Sequence, residues 1–237
     1  MSKIIFVTGT DTGVGKTLLT ASLLFHLRQS GIHALAMKPF CSGGTADVDL
    51  IQAIQGDPPS RDEVNPFRFA EPVAPLVAAR RRGRKIELVE VLAVIRRMEE
   101  RCERLIVEGA GGVLVPLGDD FTVADVIANL ECDVVVAARN KLGVINHTLL
   151  TVEALSARRV ERIKVVLMAQ SSPDCSARSN ATILGESPGD IGVFSLPYLG
   201  AGATRFGSVK TNAKKIKKTL ARIADPDSFS ARSMERL

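Results

Sequence analysis

The sequence predicts an α/β fold: a doubly wound, mainly parallel sheet with helices on both faces. Three features point to it. Short aliphatic runs recur along the 237 residues with helix-like stretches between them, the order that builds right-handed strand–helix–strand crossovers. The runs are continuous Val, Ile and Leu segments rather than alternating ones, as strands covered on both faces require. The first run passes through a glycine-rich loop straight into a helix, a junction found in open α/β sheets.

Taken in order, residues 3–7 read as the first strand and residues 18–29 as the helix after it. Residues 34–38 form a second strand, stopped by Pro39. Residues 47–55 are helical. Residues 86–102 make a longer amphipathic helix behind the basic turn Arg80, Arg81, Arg82, Arg84 and Lys85. Residues 104–108 are a strand running into Gly109, Gly111 and Gly112. Residues 134–138, 164–169 and 192–195 are further buried strands, with a helix over 146–156 between the first two. No internal repeat is visible. The expected division is one α/β domain over residues 1–207, built on that glycine-rich loop, and a basic C-terminal helix and tail over 208–237. In that tail Ile216, Leu220 and Ile223 recur at helical spacing, and the polar stretch from Asp225 is expected to fray.

An apolar fraction of 46% is enough for a substantial core. The formal charge is +5, and residues 208–237 carry eight basic against three acidic side chains, so the tail holds the whole excess. Such runs are usually solvated faces, and no nucleic-acid partner is expected. Cys41, Cys102, Cys132 and Cys175 show no C-x-x-C pair, which argues against a disulfide framework or a zinc site and suits a reducing compartment. The first strand leaves no room ahead of it for a signal peptide, and no apolar run has bilayer-crossing length. The expectation is a cytoplasmic protein without a membrane partner.

The chemistry gathers at strand ends. Residues 9–17, GTDTGVGKT, are a phosphate-binding loop. Backbone N–H groups of Gly13, Val14 and Gly15, continued by Thr17 and Leu18 at the helix N-terminus, can wrap phosphates. Lys16 can reach the β and γ oxygens, and the Thr17 hydroxyl can hold Mg²⁺. Thr10 stands where the regular G-x-x-x-x-G-K-[ST] pattern has its first glycine, with Gly9 one residue earlier, so the loop is stretched. Lys38, in KPFCSGG, could supply positive charge to an anionic substrate or be a solvated strand-end lysine. Asp47 could cap the following helix or ligate Mg²⁺, with Asp49 as a fallback. Glu108 directly follows buried strand residues; an unpaired charge in the core is too costly, so it faces the ligand crevice. Gly109, Gly111 and Gly112 leave room for substrate beside the backbone. In KLGVINHTLLT, residues 141–151, Asn140 or Asn146 starts a helix whose first N–H groups offer an anion site. His147 has no carboxylate or cysteine partner at a telling spacing and reads as a helix residue.

With these segments in order, the chain resembles the ATP-dependent dethiobiotin synthetases. The resemblance rests on FVTGTDTGVGKT, KP-x-x-SG at 38–43, VNPFRFAEPVAP at 64–75, VEGAGG at 107–112, FTVADVI at 121–127 and KLGVINHTLLT. It spans residue 1 to about 151. It implies a homodimer of P-loop subunits that uses ATP, Mg²⁺ and CO₂ or bicarbonate to carboxylate 7,8-diaminopelargonic acid and close its ureido ring. In the roles it implies, Lys16 and Lys38 neutralise charge, while Thr12 and Ser42 donate hydrogen bonds to carbamate or phosphate. Thr17, Asp47 and Glu108 match the Mg²⁺ ligands. Gly143, Val144, Ile145 and Asn146 match a segment that holds the substrate carboxylate across the dimer interface. Gln170 occupies the adenine-reading position, where Asn is familiar, and Leu196, Pro197 and Tyr198 resemble the segment beside the base. Gly13 stands where some relatives have an acidic residue. The rival reading is a partitioning or positioning ATPase switch, whose loop carries an extra lysine where this chain has Asp11.

Overall fold

The structure, a computed structural model, describes residues 2–56, 59–187 and 191–227. β1 (Ile4–Gly9) leads into α1 (Lys16–Gln29), followed by β2 (Ala34–Met37), β3 (Phe40–Ser42), α2 (Ala46–Gln55), α3 (Arg61–Val64) and β4 (Phe67–Phe69). Then come α4 (Pro75–Arg81), α5 (Leu88–Glu99), β5 (Arg104–Glu108), α6 (Val123–Ala128), β6 (Asp133–Arg139), α7 (Val144–Ser156) and β7 (Ile163–Met168). A 3-10 turn at Cys175–Arg178, α8 (Asn180–Gly185), β8 (Gly192–Leu196), α9 (Phe206–Lys215) and α10 (Lys217–Ala224) complete the described chain.

β2, β5, β1, β6, β7 and β8 form, in that order, one sheet in which every pairing is parallel. Because side chains alternate along a strand, each strand feeds two cores. Ile4, Phe6, Leu105, Val107, Val134 and Val136 join the layer of α5, α6 and α7. Ile5, Val7, Ile106, Val135 and Val166 join the layer of α1, α2, α9 and α10. The doubly wound expectation holds. The sheet changes direction around β1: the chain moves first to β2 and β5 on one side, then to β6, β7 and β8 on the other. A crevice at the strand C-termini opens at such a reversal.

A second, two-stranded parallel sheet pairs β3 with β4, and Phe40 stacks on Phe67 with ring centroids 4.7 Å apart. Strands of three residues carry too little periodicity to be read from sequence. Two helix starts also differ from expectation. Gly143, in the left-handed region at φ 92°, precedes α7, so neither Asn140 nor Asn146 starts that helix. Thr45 takes the position before α2, and Asp47 is the second helical residue rather than its cap.

The basic stretch after residue 207 supplies most of α9 and all of α10. Val209, Ala213, Ile216, Leu220 and Ile223 are buried in the same layer as Leu19, Leu23 and Leu24 of α1. Lys164 of β7, wholly buried, donates to the carbonyls of Arg222, Ile223 and Asp225 at 3.0, 2.8 and 2.7 Å and closes the end of α10. Residues 228–237, within the segment expected to fray, lie outside the described residues. The turn after α4 is tied down by acids: Arg80 pairs with Asp119, Arg81 with Glu71 and Arg84 with Glu90. Cys41, Cys102, Cys132 and Cys175 are all free thiols.

Candidate active site

The loop from β1 to α1 is shaped by its glycines. A side chain at Gly9 would stand 2.6 Å from Val14 Cγ2 and 3.2 Å from the Ala137 carbonyl, so only glycine lets the loop fold over the end of β6. Gly13 and Gly15 have φ of 70° and 105°, which L-residues with side chains rarely adopt. Lys16 opens α1, and its ammonium donates to the carbonyls of Asp11 and Gly111, both at 2.7 Å. Burial is the main influence on it and, only partly offset by Glu108, pulls its pKa down to about 8. An arriving polyphosphate would raise it again by supplying anions at close range.

β2 and β5 run in parallel register with Met37 opposite Val107. The next residues along, Lys38 and Glu108, meet at the strand ends. Lys38 Nζ donates to Glu108 Oε1 at 2.8 Å and also to Asp47, at the start of α2. Thr17 Oγ1 donates to the same Glu108 oxygen at 2.8 Å. Burial alone would lower Lys38, but the two carboxylates outweigh it and hold the ammonium above the ordinary lysine range. Glu108 is wholly buried, and its Oε2 has no hydrogen-bond partner. Asp49 turns away to pair with Arg61 at 2.6 Å, so the fallback ligand is engaged elsewhere.

Thr12, Lys38, Ser42 and Asp47 line one cavity of about 560 Å³, closed on the far side by Pro72, Val73, Ala74 and Pro75 and floored by Ala110 and Gly111. Gln170 and Leu196, Pro197 and Tyr198 gather separately at the ends of β7 and β8, which are joined there by Ala169 N–H to the Leu196 carbonyl at 3.0 Å. Met168 places its side chain beside Gly15, linking that end of the sheet to the phosphate loop. Gln170 donates its amide to the Met168 carbonyl at 2.7 Å, which leaves its oxygen as the free end. Gly143, Val144, Ile145 and Asn146 do not line the 560 Å³ cavity. Gly143 and Asn146 are exposed beside Leu142, which is itself 78% exposed, whereas Ile145 is half-buried and Val144 is buried in the core.

Two residues were not anticipated as parts of the site. Asn65, buried, donates to the carbonyls of Lys38 and Pro39 at 2.7 and 3.2 Å and fixes the chain beneath the lysine. Its only signal in the sequence is its place in NPFRFAEP. Arg139, the last residue of β6, reaches back to the phosphate loop and donates from Nε and Nη2 to the Gly13 carbonyl at 3.0 and 2.8 Å. An arginine ending a strand has no distinctive sequence signal.

A parallel sheet reversing at β1, a stretched phosphate loop, and a lysine–carboxylate pair beside it define a P-loop nucleotide-binding protein of the α/β class. A family model described as an AAA domain matches residues 3–204. The chain is 40% identical over 164 residues to the ATP-dependent dethiobiotin synthetase BioD of Methanococcus vannielii, covering 69% of this chain and 78% of that protein. It is 43% identical over 167 residues to the enzyme of that name from Anaeromyxobacter sp. strain Fw109-5 (69% and 75%). For the Bacillus subtilis strain 168 protein the identity is 37% over 185 residues (76% and 80%). The chain belongs to the ATP-dependent dethiobiotin synthetase family. In fold it is also similar to pNOB8 ParA bound to nonspecific DNA, with TM-score 0.55, 14% identity and both chains fully covered. The signal recognition particle receptor FtsY from Elizabethkingia anophelis gives TM-score 0.51 and 12% identity over 93% of this chain and 65% of that one. Identities this low speak for the fold alone.

Proposed function

We propose that this protein carries out the ATP-dependent closure of the ureido ring of dethiobiotin from 7,8-diaminopelargonic acid and CO₂, or bicarbonate as its source. The observation that carries the reading is the convergence of Thr17 and Lys38 on one oxygen of buried Glu108, with Lys38 also lining the cavity that holds Thr12 and Ser42. In this reaction both nucleophiles belong to the substrate. One amine adds to CO₂ and loses a proton, giving a carbamate. A carbamate oxygen attacks the γ-phosphorus as the bond to ADP breaks. The second amine then attacks the carbonyl carbon, expels phosphate, loses its proton and closes the ring. The protein must hold two anions together and neutralise them. Lys16, held at the carbonyls of Asp11 and Gly111, and Lys38, which lines the cavity with Thr12, would do that work. Thr12 and Ser42 are within the cavity to donate to carbamate or phosphate oxygens. Gln170 with Leu196, Pro197 and Tyr198 would receive the base.

The donor set suits Mg²⁺. Glu108 keeps a buried oxygen without a partner, Asp47 is part exposed at 40%, and Thr17 brings a hydroxyl to the same point. A hard divalent cation takes such oxygens together with phosphate oxygens, and would spread the negative charge that develops on the transferring group. Thr17, Asp47 and Glu108 would hold it.

A homodimer completes the reading. Leu114, Leu142 and Leu150 are large apolar side chains 57%, 78% and 56% exposed, and Leu142 borders the N-terminal turn of α7. An apolar surface of this kind suits a partner subunit, which would bring Gly143, Val144, Ile145 and Asn146 to a neighbouring site's substrate carboxylate. Free thiols suit a cytoplasmic location. Among the described residues no helix is long and apolar enough to cross a membrane. The test is an assay of purified protein with ATP, Mg²⁺, bicarbonate and diaminopelargonate, with dethiobiotin formation as the expected result. Failure to form it, with ATPase activity stimulated by DNA or lipid instead, would replace this reading with the switch ATPase.

A further inference from the structure

Gly13 and Arg139 lie 126 residues apart, yet the guanidinium spans the loop and grips one carbonyl with two donors, at 3.0 and 2.8 Å. The sheet explains how. β6 lies beside β1 with Ala137 opposite Gly9, so Arg139 ends its strand level with the first residues of the phosphate loop. The grip depends on glycine, because a Cβ at position 13 would stand 2.8 Å from Arg139 Nη2.

A peptide unit is planar and trans, so its C=O and the next N–H point in opposite directions. Holding the Gly13 carbonyl toward Arg139 therefore turns the Val14 N–H the other way. Gly13, at φ 70° and without a side chain, is the residue about which that peptide would rotate most freely. We infer that Arg139 is a positioning residue of the nucleotide site: by strapping the Gly13 carbonyl it sets the Val14 N–H toward the phosphates before nucleotide arrives. This rests on the reading of the loop as an ATP site. The strap acts through backbone geometry rather than through the charge of the guanidinium.

The test compares Arg139→Ala and Arg139→Lys with the parent protein in calorimetric titrations with ATP and with inorganic tripolyphosphate, which has no ribose or base. Loss of a charge-assisted two-donor bond should weaken both ligands by the same factor, about tenfold. Lysine, with a single point of attachment, should not rescue. In turnover KM for ATP should rise by the same factor while kcat stays within about twofold, and the melting temperature should stay at the parent value because Arg139 is exposed. Unchanged affinities would overturn the inference, as would full rescue by lysine, which would mean that charge alone matters. Weakening of ATP but not of tripolyphosphate would also overturn it, since the contact would then be with ribose or base. A parent protein that binds neither ligand would refute the nucleotide site itself, which is a separate failure.

Discussion

Lys38 and Glu108 are joined by strand register. β2 and β5 are paired from Ala34 opposite Arg104 to Met37 opposite Val107, and one step further the two charged residues meet at 2.8 Å. The pair is placed by the main sheet rather than by a loop. Its geometry is therefore as stiff as the sheet, which suits groups that must face developing charge without rearranging.

Replacing Lys38 with alanine should lower turnover by about 10²–10³ or more, the range for removing one charge-stabilising donor. ATP affinity should remain within a few-fold, because Lys16 and the loop are untouched. The variant should also lose stability, on the order of 3–5 kcal/mol, since a buried carboxylate is left without its ammonium. Single-turnover kinetics, nucleotide titration and denaturant unfolding check the three parts. Parental turnover would remove Lys38 from the mechanism.

Glu108→Gln keeps the shape and removes the charge. Binding of ATP in the presence of Mg²⁺ should weaken by at least about tenfold, while binding with the metal chelated should change little. Titrations with and without chelator separate these. Equal weakening in both would point to a structural role for Glu108.

Asn65→Ala removes the donor under the Lys38 carbonyl. Loss of a buried hydrogen bond costs about 1–3 kcal/mol. Lys38 would lose its anchor, so on the proposed role of Lys38 kcat should fall with KM for ATP near the parent value. Steady-state kinetics beside melting curves test this, and a normal kcat in a destabilised protein would make Asn65 purely structural.

Leu150→Glu places a charge on the exposed side of α7. Sedimentation should show monomers in place of dimers, and dethiobiotin formation should fall while ATP binding persists. A dimeric, active variant would move the subunit contact elsewhere.

His26, on α1, is held below its ordinary pKa, by burial first and by Lys217 second. The unfolded chain therefore takes up a proton at this side chain before the folded one does. The stabilisation is present above about pH 6.5 and is lost as pH falls toward the folded value. Denaturant unfolding between pH 7 and 5 should show a smaller loss of stability in His26→Gln than in the parent. Equal slopes would dismiss the contribution.

The phosphate loop, Lys38 and Glu108 are legible in sequence because each follows an aliphatic strand, and strand ends in an open α/β sheet face the crevice. Asp47 is legible as a carboxylate near the site, but its choice over Asp49 is not. That depends on helical phase, which turns one toward Lys38 and the other toward Arg61. The β3–β4 pair is hidden because two three-residue strands show no period. Asn65 and Arg139 are hidden for another reason: each acts on a backbone carbonyl distant in sequence, and carbonyls carry no residue identity.

The two C-terminal helices have a consequence for how this chain can be handled. Lys210, Lys214, Lys215, Lys217, Lys218 and Arg222 are exposed, while Val209, Leu220 and Ile223 beneath them are buried against the helix that begins at Lys16. What reads as a charged appendage is a buttress with a wet outer side. Shortening the protein at residue 207 would strip the back of α1 and loosen the phosphate loop at its front, so tags and fusions belong beyond Asp227.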